Sequence, residues 1–327
     1  MSLNHKKSLK VFAVSGLSAV TLLAGLMQSS AKAAVPHSEL GNYQVIQSDC
    51  QVTGTSDLVR AYRSFELDHE KRILVVDTQT FQSRLMDPRL LECSDEFSVA
   101  IAQSPYGRAL NTTDSAPFPM ADDGIQHSQK PVDGVFLTAD LCPAGAHKFE
   151  QRFFDALEHL AIDRHQPIPV SLAVTGLWLK GHEAHFQEIR NLEKKGLIQV
   201  TWINHTHSHP YRVGVPESRN FVLTPGIHPE AEIQGPEMEL LKRGEVPSVF
   251  FRFPGLISNE TWIRRLKSHS LIPVGSDAWL AKGQKPQSGS IILVHANGNE
   301  PEGIDRFLHW LPKSSALGSF LPLTDLF

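Results

Sequence analysis

The 327-residue chain carries 31 Lys and Arg against 35 Asp and Glu, 41% hydrophobic residues and three cysteines. It is long enough for one large α/β domain plus a smaller unit. Its acidic balance, which deepens if the basic amino-terminal segment is removed, argues against a surface built to follow nucleic-acid phosphates or anionic lipid.

The first residues have the three parts of a secretory signal. A basic stretch (His5, Lys6, Lys7, Lys10) precedes an apolar run from Val11 to Met27, and Ala31-Lys32-Ala33 offers a small-x-small cleavage pattern. The apolar run is short for a full membrane span, so residues 1–33 are expected to be a signal peptide removed on export. The mature chain would then be periplasmic or secreted, with no stable membrane insertion. Cleavage removes four lysines and no acid, leaving 27 basic against 35 acidic residues, a net charge of −8. In an oxidising compartment Cys50 and Cys93 could close a loop, which leaves Cys142 as the free thiol. Nothing in the sequence ties Cys142 to a base, which argues against a cysteine nucleophile.

Residues 34–110 form an amino-terminal region with a weak mixed pattern. The sequence predicts a short helix at 56–65 and strands at 72–77 and 96–102, with no chemical motif. Residues 111–130 are polar and proline-containing, as in a linker or long loop. From residue 131 to 327 strands and helices alternate. Strands are predicted at 132–139, 168–174, 197–203, 248–253, 271–275 and 290–294, and helices at 148–162, 182–195, 230–241, 260–268 and 303–311. Such alternation predicts mostly parallel strands with helices outside, as a barrel or a doubly wound sheet.

The chemically interesting residues fall just after these strands, where α/β folds converge their sites. Asp140 ends the first of them. His205 and His209 follow an apolar strand within Asn204-His205-Thr206-His207-Ser208-His209-Pro210. Two imidazoles four residues apart can share one face, and neutral imidazole is the commonest protein ligand for zinc. The spacing alone is weak, since 16 histidines produce it readily by chance. Arg252 ends the next strand before the rigid Pro254-Gly255 turn and could hold a strand-end carboxylate in ionised form. Asp277 and Trp279 supply another acid and an aromatic wall, and His295 closes the last strand.

In this order the motifs resemble those of the polysaccharide deacetylases, the NodB-homology family of carbohydrate esterases. That family's pattern is Thr-Phe-Asp-Asp-Gly, His-Ser/Thr-x-x-His, Arg-x-Pro, an Asp/Trp segment and Leu-x-His. This chain has Thr138-Ala139-Asp140-Leu141-Cys142, His205-Thr206-His207-Ser208-His209, Arg252-Phe253-Pro254, Asp277-Ala278-Trp279 and Leu293-Val294-His295. The resemblance implies a distorted or incomplete (β/α) barrel and hydrolytic removal of acetyl groups from an N-acetylated glycan. It implies a divalent metal, zinc by ligand type, on His205 and His209, with Asp140 as general base, His295 as general acid, Arg252 orienting the base and Asp277 in support. A backbone N–H at Gly255 could stabilise the oxyanion, and Trp279 and Tyr211 could meet the sugar. Leu141 stands where the family has its second aspartate, the third metal ligand, so Asp140 or another group such as His207 or His147 would complete the shell. Two other readings stay open: a catalytically weak glycan-binding domain using Trp178, Trp202, Tyr211 or Trp279 as stacking faces, and an amidase acting on a non-sugar amide.

Overall fold

Residues 40–93 build a five-stranded antiparallel sheet. A computed structural model of the chain describes residues 37–114, 124–144 and 148–327; the expected signal segment 1–33 and His147 lie outside the described residues. Strands β1 (Leu40–Val52), β2 (Leu58–Leu67), β3 (Glu70–Asp77), β4 (Ser83–Met86) and β5 (Leu91–Cys93) assemble in the order β4-β3-β2-β1-β5. Cys50 and Cys93 face each other across β1 and β5 and are disulfide-bonded. Two short helices follow, α1 (Ser98–Gln103) and α2 (Pro105–Asp114).

Two expectations for this region are corrected. The predicted helix at 56–65 is β2. Its register shifts between Ala61 and Arg63, so Ala61, Tyr62 and Arg63 are buried in succession and the two-residue period is lost. The predicted strand at 96–102 is mostly α1. Ser94 caps the turn before it by accepting from Glu96 N, and only Ile101 of the helix is buried.

The rest of the chain forms a parallel sheet wrapped by helices. Its strands are β6 (Gly134–Leu141), β7 (Ile168–Val174), β8 (Ile198–Asn204), β9 (Phe250–Phe251), β10 (Ile272–Pro273), β11 (Ala278–Trp279), β12 (Ile291–His295) and β13 (Ser319–Phe320). They run in the order β10-β9-β8-β7-β6-β12-β11, with β13 paired to the start of β6. The helices are α3 (Gln151–Arg164), α4 (Gly176–Gly181), α5 (Glu183–Lys194), α6 (Pro229–Lys242), α7 (Glu260–Ser268) and α8 (Pro301–Trp310). Among the described residues β10 and β11 do not pair, so this is an incomplete (β/α) barrel. Residues 125–128, within the expected linker, run from the end of β10 to the start of β12: Ile125 pairs with Val274 and His127 with Ser290. No helix among the described residues is long and apolar enough to cross a membrane.

Strand β6 explains how the barrel separates packing from chemistry. Val135, Leu137, Ala139 and Leu141 pack among the apolar residues of α3, α5 and α8. Alternation along a strand therefore sends Phe136, Thr138 and Asp140 to the opposite face. The barrel does not stand apart from the amino-terminal sheet. Tyr62, Phe65, Leu74, Phe81 and Tyr106 share one apolar cluster with Ile203, Phe250, Phe251 and Ile272.

The disulfide closes a loop with a sequence separation of 43 residues. Replacing both partners, Cys50→Ala/Cys93→Ala, should lower unfolding free energy by about 2–4 kcal/mol in a denaturant titration. An unchanged midpoint would show that the sheet does not need the link.

Candidate active site and metal centre

The strand ends bring Asp140, Arg252, His205 and His295 together. Arg252, with no exposed surface, makes four contacts of its own. Nη1 donates to Thr138 Oγ1 at 2.6 Å and to Asp140 Oδ1 at 3.0 Å, Nη2 to the Gly275 carbonyl at 2.9 Å, and Nε to the Val274 carbonyl at 3.4 Å. Asp140 is buried, which opposes its ionisation. The Arg252 guanidinium, helped by His205 and His295, outweighs that and holds its carboxyl below the usual carboxylate value. The second oxygen, Oδ2, lies 3.6 Å from His205 Nε2 and 4.0 Å from His295 Nε2. One carboxylate oxygen is therefore committed to arginine and the other faces two imidazoles.

The histidine loop is strained and heavily held. Thr206 (φ 67°) and His209 (φ 46°) both sit in the left-handed region, which a β-branched residue adopts only under constraint. Asn204 Oδ1 accepts from Thr206 N at 3.0 Å, and Thr206 Oγ1 accepts from His209 N at 3.2 Å. The first N–H groups of α4 take up the loop carbonyls, Gly176 N on Thr206 O at 3.1 Å and Leu177 N on His207 O at 2.9 Å. From α6, Glu232 accepts from both Ser208 N (2.8 Å) and Ser208 Oγ (2.5 Å).

His205 and His209 project together, with ring centroids 5.0 Å apart. His205 Nδ1 lies 2.9 Å from the Arg252 carbonyl; a carbonyl only accepts, so Nδ1 carries the proton and Nε2 is left as the donor atom for a metal. The third member of the group is Cys142: ligand atoms of Cys142, His205 and His209 all lie within 4.8 Å of one another. Cys142 Sγ is 3.6 Å from His205 Nε2, and its carbonyl accepts from Asn297 Nδ2 at 2.9 Å. Burial disfavours the thiolate, but His209 and His205 overcome this and hold the thiol well below its ordinary value. For His209, burial opposes protonation, and the facing Cys142 sulfur nonetheless raises its pKa. A thiolate with two imidazoles is a donor set that zinc takes, so the residues present fit a metal.

Of the third ligands expected from the sequence, Asp140 and His207 are not in this group, and His147 lies outside the described residues. Asp140 lies outside the cluster: its Oδ1 is held by Arg252, and its Oδ2 faces His205 and His295. His207 turns away and wedges between helices, so that a Cβ on Gly176 or Gly235 would come within 2.0 or 2.4 Å of its Nδ1. Glycine is required at both positions by that close approach. The sequence reading left Cys142 without a base; its neighbouring imidazoles come from a loop 63 residues away. The signal was the strand period. Leu141 points outward with Leu137 and Ala139, so the next side chain able to face the site with Asp140 is Cys142.

Asp277 is also corrected. It sits at the start of β12, accepting from Ile291 N at 2.9 Å and Ser290 Oγ at 3.1 Å and pairing with His127 Nδ1 at 2.7 Å. His295 lies at the other end of that strand, about 13 Å away at the usual rise per residue. Glu300, which the motif reading missed because it lies in the loop after β12, takes the expected supporting place. Its Oε2 is 2.8 Å from His295 Nδ1 in an ion pair and accepts from Trp279 Nε1 at 2.9 Å. Burial opposes protonation of His295, but Cys142, Glu300 and Asp140 raise its pKa well above the ordinary value.

A wall borders the histidines. Tyr211 is 59% exposed and stacks on Phe221 at 5.2 Å, and Phe221 meets His209 edge-on at 5.9 Å. Gly255 (φ 62°) closes on the same ring, where a Cβ would lie 2.5 Å from Phe221. Trp279 lies 5.9 Å from the His295 ring.

Cys142→Ala should reduce bound zinc in the purified protein at least tenfold by elemental analysis, as His205→Ala should. Leu141→Asp should lower stability by roughly 3 kcal/mol or more without tightening zinc binding, because its carboxylate enters the apolar layer. Tighter binding in Leu141→Asp would show that this side chain reaches the site.

No protein-family model matches the chain. Among solved structures, it is similar to a family 4 carbohydrate esterase from Bacillus anthracis at 19% identity, covering 69% of this chain and 93% of that one, with a TM-score of 0.46. It is similar to the chitin deacetylase from the fungal pathogen Colletotrichum lindemuthianum at 14% identity, over 64% of this chain and 92% of that one, TM-score 0.43. A CE4 family pseudoenzyme from Bacillus anthracis is also similar, at 12% identity over 62% of this chain and 68% of that one, TM-score 0.40. At these identities the likeness assigns no role to any residue.

Proposed function

We propose that the protein is an exported, metal-dependent hydrolase that removes acetyl groups from N-acetylated sugars of a polysaccharide or cell-envelope glycan. The observation that carries this reading is the Asp140 carboxylate, buried and fixed by Arg252 on one oxygen while the other faces His205 and His295. The ordered motifs that end on the same residues support it.

Cys142, His205 and His209 would hold the metal, zinc by donor type. When bound, such an ion polarises the acetyl carbonyl and lowers the pKa of water. Asp140 Oδ2 takes the proton of the water that attacks the acetyl carbon, and it is competent because Arg252 keeps it ionised. The C–N bond then breaks as His295 Nε2 gives a proton to the departing amine, yielding acetate and the free amino sugar. Glu300, at Nδ1 of His295, favours the protonated ring that this step needs. The Gly255 backbone N–H is the candidate donor to the oxyanion, and Tyr211 and Trp279 offer rings to the sugar faces.

Acetate release from N-acetylated glycans by the mature chain tests the reading. Asp140→Asn and His295→Ala should each lower turnover by about 10²–10⁴, with bound zinc largely retained. Loss of zinc together with turnover in Asp140→Asn would make Asp140 a ligand. Glycan binding without acetate release by the zinc-loaded wild type would make the chain a binding module.

A further inference from the structure

A second buried ion pair lies behind the histidine loop, and one partner comes from the amino-terminal sheet. Arg63 on β2 grips Glu237 on α6 with both arms, Nε to Oε2 at 2.7 Å and Nη2 to Oε1 at 2.8 Å. Its Nη1 donates to the carbonyls of Tyr62 at 2.8 Å and His269 at 2.9 Å. Tyr43 on β1 donates its hydroxyl to Glu237 Oε2 at 2.6 Å. Side chains of Arg63 and Glu237 are 0% and 1% exposed.

The pair reaches the metal loop through Asn204. Asn204 Nδ2 donates to the Ile233 carbonyl at 2.6 Å and lies 3.4 Å from Glu237 Oε1. A carboxylate and a carbonyl only accept, so the amide nitrogen must face α6 and its oxygen must face Thr206 N. Thr206 is the left-handed residue between the two candidate ligands His205 and His209. A buried ion pair adds little to stability against a well-packed apolar pair; here the bidentate grip and the Tyr43 hydroxyl hold both Glu237 oxygens in place.

We infer that the amino-terminal sheet is a positioning element for the metal loop. Arg63 and Tyr43 hold Glu237 so that it orients Asn204, and Asn204 sets the Thr206 turn that presents His205 and His209. The inference rests on reading Cys142, His205 and His209 as a metal centre. It gives a task to residues 40–93, in which the motif reading found no chemistry.

The test uses the mature chain with Zn2+ alone as the probe, titrated in competition with a chromogenic chelator. Arg63→Met/Glu237→Leu removes both charges, so neither is left buried alone. The metal-free variant should keep a wild-type-like unfolding midpoint while its Zn2+ affinity falls about 10- to 100-fold. Asn204→Ala, which keeps the ion pair and removes its link to the loop together with the bond to the Ile233 carbonyl, should lose affinity by a similar factor. Combined with the double variant it should add little further loss, because the three residues act in series. A purely structural pair would lower the unfolding midpoint and leave the affinity of the folded protein unchanged. Wild-type Zn2+ affinity in Asn204→Ala, or in the folded double variant, overturns the inference alone. If the double variant fails to fold, Tyr43→Phe, which removes the β1 donor to Glu237 and leaves the charges paired, decides in its place: a fall in Zn2+ affinity supports the inference, and wild-type affinity overturns it. A wild-type chain that takes up no Zn2+ overturns both the metal centre and the inference.

Discussion

The site depends on the ion pair between Arg252 and Asp140. A carboxylate buried at the end of a parallel strand would take up a proton unless a fixed cation faced it. Arg252 is fixed because its other donors are bound to Thr138, Val274 and Gly275. Those partners come from β6, the segment after β10 and the glycine turn beyond it, so the guanidinium ties an interior strand of the sheet to its β10 edge. The pair thus keeps the Asp140 carboxylate anionic and also holds the strand ends in register around it. Thr138 completes the lock, donating to the Ile292 carbonyl of β12 at 2.6 Å while accepting from Arg252.

The histidines depend on a different kind of constraint. Left-handed backbone at Thr206 and His209 costs about 1–3 kcal/mol at each residue and persists only where the surroundings over-determine it. Here α4, α6 and the Asn204 side chain supply that surrounding, and Gly176 and Gly235 make room for His207 to act as the wedge between them. Two buried arginine–carboxylate pairs therefore serve one site from opposite sides. One lies within it and the other behind the loop that carries His205 and His209.

Much of the barrel was legible from the sequence. The expected strand at 168–174 and helix at 260–268 coincide with the observed bounds, because each has clear periodicity and a defined start. The region between 248 and 275 yields only two-residue strands, since Pro254 and Pro273 interrupt the ladder that its apolar content suggests. The amino-terminal sheet was least legible: in β2 a register shift hides the alternation, and its buried Arg63 reads as surface until Glu237, 174 residues away, is brought to it. At the site, Asp140, Arg252, His205, His209 and His295 were named because each follows a strand. Cys142 and Glu300 were not, for different reasons. Cys142 required counting sides along β6, where Leu141 belongs to the apolar layer, whereas Glu300 approaches His295 from a loop whose path no periodicity describes.

The central claim is that Cys142 supplies sulfur to a metal centre shared with His205 and His209. X-ray absorption at the zinc edge of the zinc-loaded protein measures this directly. The account predicts one sulfur scatterer at about 2.3 Å together with nitrogen or oxygen at about 2.0–2.1 Å, the sulfur disappearing in Cys142→Ala. A wild-type spectrum that fits nitrogen and oxygen neighbours alone would contradict it and leave the third ligand to a carboxylate or another imidazole.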